Sequence, residues 1–411
     1  MIDFESFSLD NGLQVIFHQD TTSPMAVLNL MYNVGSRDEH PEKTGFAHLF
    51  EHLMFGGSKN IPVFDEPLQR VGGENNAFTN TDITNYYVSL PADNLATACW
   101  LESDRMLELN FSPKSLEVQQ NVVIEEFNQR YLNQPYGTAM HELRKLAYQQ
   151  HPYQWPTIGS TPQHVADATL EEVKSFFYKY YRPNNAILVI GGNLELSQAK
   201  DMVFRWFADI PKGNTPQRSL PVEPRQIAAR FAETKNNVPL DVIYKAYHMP
   251  GRFESDFYAA DLMSDILGRG KSSRLHEILV DELKIFQSVQ AYPTGSFDPG
   301  LFLVEGKVNQ GIQVEEAEKR LNDVIGSFVE NLPGERELTK VKNQAESTLL
   351  FGEVELLNRA INLAFFTLGG STQAANEESE KIQQVSVSDL QRVAHNVLRP
   401  ENCSTLYFRK N

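Results

Sequence analysis

Five consecutive residues, His48-Leu49-Phe50-Glu51-His52, bring two imidazoles and a carboxylate into little more than one helical turn. Residues i and i+4 share one face of a helix, so His48 and His52 can reach a single ion, and Glu51 sits beside them. From there Glu51 is close enough to take a proton from a metal-bound water, which is general-base work in metal-assisted hydrolysis. A catalytic zinc takes three protein ligands and keeps a fourth position open. The third ligand must therefore come from elsewhere, and Glu125-Glu126 offers two candidates. Leu116, Gln119, Val123, Glu126 and Arg130 share a helical face by spacing, whereas Glu125 falls about 100° away, toward solvent. Glu126 is thus the better placed of the two. Two histidines and one carboxylate suit zinc.

These side chains need rigid elements to aim them. The pattern around the motif reads as a helix from Thr44 to the Gly56-Gly57 stop. Ser112-Pro113 reads as a helix start, with Ser as cap and Pro in the first turn, and that helix runs to about Arg130. Leu9 to Phe17 reads as strand, Asn-Gly turn, strand. Ala26 to Val34 is β-rich, Gly72-Gly73 marks a turn, and Asn76 to Leu90 reads as one strand. Pro211 to Pro224 holds four prolines and little periodicity.

That segment divides the chain nearly in half, and the halves repeat. Thr169 to Ala186 is a helix ending in Arg182-Pro183 and leading into the apolar run Ile187–Ile190. Ser386 to Cys403 does the same through Arg399-Pro400 into Thr405–Phe408, at an offset of 217 residues. The expected fold class is therefore α+β, with two homologous halves, each a largely antiparallel sheet packed with helices. The expected domains are 1–210, a linker at 211–224, and 225–411, the second without a metal site.

Composition narrows the function. Among 411 residues, 37 Lys and Arg stand against 53 Asp and Glu, a net charge of −16, which argues against nucleic-acid binding. No stretch approaches the ~18 apolar residues of a membrane span. Two cysteines, Cys99 and Cys403, build neither a disulfide framework nor a cysteine-ligated zinc site. The start, Met1 to Glu5, has neither basic nor apolar signal regions. A cytoplasmic location is expected if the chain is native from Met1, a periplasmic one if a signal has been removed. Gly268-Arg269-Gly270-Lys271-Ser272 lacks the earlier glycine of a phosphate loop, because position 265 is Asp. Cys99, His141, His151, His164 and Trp155 read as packing or surface residues.

Gly35-Ser36-Arg37-Asp38-Glu39, followed by the run from Thr44 to Gly57, resembles the inverted-zincin signature of the pitrilysin/insulysin-type metallopeptidases, family M16. The resemblance extends through the duplicated halves, Asn76-Ala77-Phe78-Thr79 and Thr84-Asn85-Tyr86-Tyr87, over nearly the whole chain. It implies a zinc endopeptidase with one Zn2+ per chain that hydrolyses unfolded or short peptides. The halves would enclose a chamber, as a clam-shell or across a dimer. His48 and His52 match the family's histidine ligands, Glu51 its general base, and Glu126 its distal glutamate ligand. Ala77 and Phe78 fall on an edge strand that pairs with substrate backbone by β-augmentation. Asn76 matches an asparagine that helps hold the scissile peptide.

The sequence also departs from that pattern. A second glutamate expected seven residues before the ligand one is Gln119, a neutral group in the second shell of the site. With Gly56 aligned to Gly268, Ala260, Met263 and Ser264 replace His48, Glu51 and His52. The second half of the family supplies an arginine and a tyrosine to the developing oxyanion, and here their positions hold Val280 and Gln287. The resemblance then favours a heterodimer in which a homologous subunit supplies Arg and Tyr, with a homodimer as the alternative. A non-catalytic or weakly active peptide-binding or assembly subunit is the rival function.

Overall fold

The computed structural model describes residues 1–331 and 333–411. The described residues form two sheets. The first holds β1 (Glu5–Ser8), β2 (Gln14–Gln19), β3 (Met25–Tyr32), β4 (Glu74–Thr79), β5 (Thr84–Pro91) and β6 (Ala186–Gly192) in the order β1-β2-β6-β3-β5-β4. The second holds β7 (Arg230–Asn236), β8 (Val242–Met249), β9 (Phe286–Pro293), β10 (Gly300–Val308) and β11 (Cys403–Lys410) in the order β7-β11-β8-β10-β9. β2 is parallel to β6 and β7 to β11, and every other pairing is antiparallel. The two orders superimpose strand for strand once β1 is removed, so the chain is an α+β protein of two homologous halves.

The repeat seen in the sequence is a repeat of local chemistry. Thr169 and Ser386 each close a capping box on the helix that follows, Leu170–Tyr180 and Val387–Val397. Each helix stops at Arg-Pro, and a buried asparagine two residues beyond the proline bonds back to it. Asn185 donates to Tyr180 O and Asn402 to Val397 O, both at 2.8 Å. Both asparagines stand at the head of an interior strand, β6 or β11, whose apolar residues are buried on both faces.

The chain forms two compact units that are not contiguous in sequence. Unit 1 comprises residues 1–128, 155–220 and 350–377; unit 2 comprises 129–154, 221–349 and 378–411. The helix Leu356–Leu368 packs on β3 and β6 of unit 1, and Gly191 makes room for it: a Cβ there would meet Leu356 at 2.9 Å. The helix Ala139–Ala147 packs on β8 and β11 of unit 2, where Leu143 and Ala147 join Val242, Leu303, Leu406 and Phe408 in one apolar cluster. Each half of the sequence thus supplies a helix to the other unit's sheet, which a periodicity reading cannot foresee. Residues 211–228 hold no helix or strand.

Two local expectations need correction. Asn76 to Leu90 is a hairpin rather than one strand, because Asn80 turns the chain. Its side chain accepts from Asp82 N and Ile83 N, and its backbone N–H bonds Ile83 O. The motif helix begins at Phe46, two residues later than expected, since Gly45 takes the left-handed conformation (φ +92°). Among the described residues, no helix is long and apolar enough to cross a membrane.

Candidate metal centre

The motif helix is short, Phe46–Leu53, and its entry is built by a polar platform. The Glu39 carboxylate accepts from Gly45 N at 2.9 Å and Ala47 N at 2.8 Å, satisfying backbone donors that the helix leaves orphaned. Burial pushes the Glu39 carboxyl well above the usual range, against those hydrogen bonds. Arg37 forms a buried 2.9 Å ion pair with Asp82 of the hairpin turn. Asp38 is held by Arg218 at 2.6 Å, and Ser36 O receives the indole N–H of Trp155 at 2.7 Å. The segment 35–39 therefore fastens both the motif helix and the β4–β5 hairpin.

Beneath the helix lies an aromatic floor. Phe50 stacks on Tyr181 and on Phe176 with ring centroids 5.0 and 5.1 Å apart. Burial pushes the Tyr86 and Tyr181 phenols far up, and the charge of Glu51 adds to this. Deeper still, the fully buried Arg105 pairs with Glu102 and lies over the rings of Tyr86 and Phe64, at 4.4 and 4.5 Å. The sequence reading missed this pair; a Glu-x-x-Arg spacing inside the helix Leu95–Leu107 was its only signal.

The helix that carries Glu126, Pro113–Phe127, starts as expected. Ser112 caps it by accepting from Ser115 N at 3.1 Å, and Pro113 takes the first position. Leu116, Val123 and Phe127 are its buried anchors, Glu125 is exposed, and Glu126 is half-buried against the motif helix. The backbone then passes into a π turn at Asn128–Leu132, a distortion frequent beside functional sites.

Glu126 Oε2 stands 3.3 Å from His52 Nε2 and 3.7 Å from His48 Nε2, and the three donor atoms lie within 4.8 Å of one another. The imidazole rings are nearly perpendicular, with centroids 4.8 Å apart. Ligands bound tetrahedrally at ~2.1 Å stand about 3.4 Å from each other. The spacing and the N,N,O donor set therefore fit zinc. Glu51 lies on the same helix turn, and its Oε2 accepts the Thr79 hydroxyl at 2.5 Å. Thr79 ends β4, the edge strand that carries Asn76, Ala77 and Phe78. Asn76 is exposed, and its side-chain oxygen accepts from Ala77 N at 2.8 Å. Gln119 lies beside the end of the motif helix: its amide nitrogen is 3.7 Å from where a Gly56 Cβ would be. The contacts of Thr79 with Glu51 and of Glu39 with the motif helix were also missed, although both residues fall within the runs that carry the resemblance.

Among the described residues, the corresponding place in unit 2 contains no such cluster. Ala260, Met263 and Ser264 are buried in the helix Phe257–Gly268. Val280 lies half-buried in the π turn His276–Glu282 and packs against the unit's core, and Gln287 is exposed on β9. His151, His164 and Trp155 have structural partners in Tyr153 N, Thr44 and Ser36 O. Cys99 is buried, and its thiol is pushed up to about 12.

Duplicated sheets, an inverted His-x-x-Glu-His helix and a distal glutamate define a two-half metallopeptidase architecture. Residues 14–161 match the family model described as Insulinase (Peptidase family M16), and residues 167–345 match Peptidase M16 inactive domain. The chain belongs to peptidase family M16. It is 29% identical over 413 residues to the zinc protease PqqE of Helicobacter pylori, covering 98% of this chain and 92% of that one. It is 24% identical to the uncharacterized zinc protease YmxG of Bacillus subtilis, over 84% of this chain and 83% of that protein. The crystal structure of a protease from H. pylori superimposes with a TM-score of 0.92 at 28% identity, covering 100% of both chains.

Proposed function

We propose that this chain is a zinc endopeptidase acting on unfolded or short peptides, and that it is the zinc-bearing member of a heterodimer. The observation that carries the reading is the meeting of three donor atoms within 4.8 Å of one another, with Glu51 beside them and the edge strand β4 alongside. His48, His52 and Glu126 would hold one Zn2+ per chain, and zinc so held polarises a carbonyl and makes water more acidic. Glu51 takes the proton of the attacking water and passes it to the nitrogen of the leaving amine as the C–N bond breaks. An extended peptide adds to the outer edge of β4 along Ala77 and Phe78, so that main-chain pairing rather than side-chain fit sets affinity. Asn76 then releases Ala77 N and turns to the scissile peptide, while Gln119 supports the site without adding charge.

The Val280 side chain has no hydrogen to donate to an oxyanion. The arginine and tyrosine are therefore placed on a homologous partner subunit, in preference to a homodimer with other donors. The same two residues, Val280 and Gln287, favour a second reading: a peptide-binding subunit that retains zinc and turns over poorly. The test is cleavage of a mixed set of quenched peptides of ~8–20 residues by the purified chain, beside Glu51→Gln and a chelated sample. Cleavage lost in both controls supports the peptidase and removes the need for a partner. Zinc binding without cleavage, restored by a homologous subunit, supports the heterodimer; zinc binding with no cleavage under either condition favours the peptide-binding subunit.

A further inference from the structure

We propose that Thr79 is a positioning residue for Glu51, tying the proton-transferring carboxylate to the end of the strand on which the peptide lies. This rests on the reading of Glu51 as the general base. A glutamate carboxylate ends three rotatable bonds and samples several rotamers unless something holds it. Here the Thr79 hydroxyl donates to Oε2 at 2.5 Å, within the short range of an O–H to carboxylate hydrogen bond. Threonine suits the task because its β-branched side chain is stiff at χ1.

The two partners are also fixed to a common frame. Thr79 pairs with Thr84 across the hairpin, and the intervening turn is anchored to segment 35–39 by the Arg37–Asp82 ion pair. Ser36 N bonds Asn80 O and Arg37 N bonds Thr81 O, which extends the anchor into the backbone. Glu39, from the same segment, holds the N-terminus of the helix that carries Glu51. The hydroxyl and the carboxylate are therefore brought together by the scaffold and not by a chance meeting of surface side chains. One consequence is directional: a peptide strand added along β4 fixes the strand's end, and through Thr79 it fixes the base. Docking and proton transfer become linked by one hydrogen bond.

The test uses the zinc-loaded full chain, assayed together with the homologous partner subunit wherever cleavage requires it. Thr79→Val keeps the shape and removes the donor; kcat should fall about 10–100-fold, with KM within about twofold and zinc content unchanged. Thr79→Ser, which restores a hydroxyl, should recover most of that loss. A second readout needs no activity: thermal unfolding of the metal-free protein in a double-mutant cycle. Thr79→Val should lower Tm by about 1–3 °C in the wild-type background and not in Glu51→Ala. Unchanged kcat in Thr79→Val, no recovery in Thr79→Ser, or additive Tm losses would overturn the proposal. A wild-type chain that binds zinc and cleaves nothing, with or without a partner, would instead sink the peptidase reading, and the unfolding cycle would still decide the Thr79–Glu51 link.

Discussion

The two units carry one strand order twice and use the same place in it for opposite ends. In unit 1 the helix beside the edge strand has eight residues, and His48, Glu51 and His52 face outward, half-buried. In unit 2 its counterpart has twelve, and all but Asp261 are buried. Contact with the edge strand differs in the same sense. A Cβ on Gly268 would lie 2.1 Å from Ala291 N of β9, whereas at Gly56 the nearest atom is Ser115 Oγ of the helix that carries Glu126, at 3.1 Å. Unit 2 closes helix and strand onto each other; unit 1 brings another helix to that position, and with it Glu126. The sheet does not require the metal chemistry. A site arises where the helix is short, its outer face is polar, and a neighbouring helix fills the gap with a carboxylate.

The largest effect should come from breaking the cluster itself. His52→Ala removes one of three ligands and should abolish stoichiometric zinc binding, measured by equilibrium dialysis, and peptide cleavage with it. The matched change in unit 2, Ser264→Ala, should leave zinc content unaltered. A substantial zinc loss in Ser264→Ala would mean that the two helices are not independent. Converting unit 2 toward unit 1 is the next test. Ala260→His places an imidazole where the native side chain is fully buried, and overpacking plus an unpaired polar group should cost on the order of 3–5 kcal/mol. Denaturant unfolding would show it, and no second zinc should bind.

A smaller effect separates helix entry from ligation. Glu39→Ala leaves Gly45 N and Ala47 N without their acceptor and should cost about 1–2 kcal/mol. Glu39→Gln keeps an acceptor oxygen and should cost less. If both variants unfold together with wild type, Glu39 contributes nothing at that helix end.

These residues also mark how far the sequence could be read. His48, Glu51 and His52 were legible because helical geometry alone puts i, i+3 and i+4 together. The duplication was legible because Thr169 and Ser386, Pro183 and Pro400, and Asn185 and Asn402 repeat the same capping chemistry at a fixed offset. Helical spacing put Glu126 rather than Glu125 on the buried face of its helix, but only the family pattern tied that face to a motif more than 70 residues earlier. Thr79, Arg105 and the exchanged helices Ala139–Ala147 and Leu356–Leu368 were not legible. Their roles depend on which sheet a segment packs against, and long-range packing leaves no mark on periodicity. The hairpin at Asn80 was missed for a different reason: one asparagine satisfying two backbone N–H groups turns the chain without glycine or proline.

The smallest predicted effect sharpens the contrast between the two helices from the inside. Through the Gly56–Gly268 alignment, Asp261 and Asp265 occupy the places of Leu49 and Leu53, which are buried in unit 1. Unit 2 has thus exchanged polarity on both faces of the helix, losing the ligands on one and gaining carboxyls on the other. Desolvation at its half-buried position, and then the neighbouring charge of Asp265, pushes the Asp261 carboxyl up to about 6, against Arg252 and Arg269. Because its folded value lies above the unfolded one, the folded chain holds the proton more tightly. Stability from this group is present at low pH and lost as pH rises from about 4 through about 6. Asp261→Asn should therefore raise Tm by about 1–4 °C at pH 7.5 and by about a third as much at pH 4.5, where the loss has only begun. The difference between variant and wild type cancels the other carboxylates, so a Tm gain that is the same at both pH values would show that Asp261 is as well solvated as an ordinary surface acid. In that case the helix of unit 2 would be less closed than its buried neighbours indicate, and the contrast with the motif helix of unit 1 would rest on Ala260, Met263 and Ser264 alone.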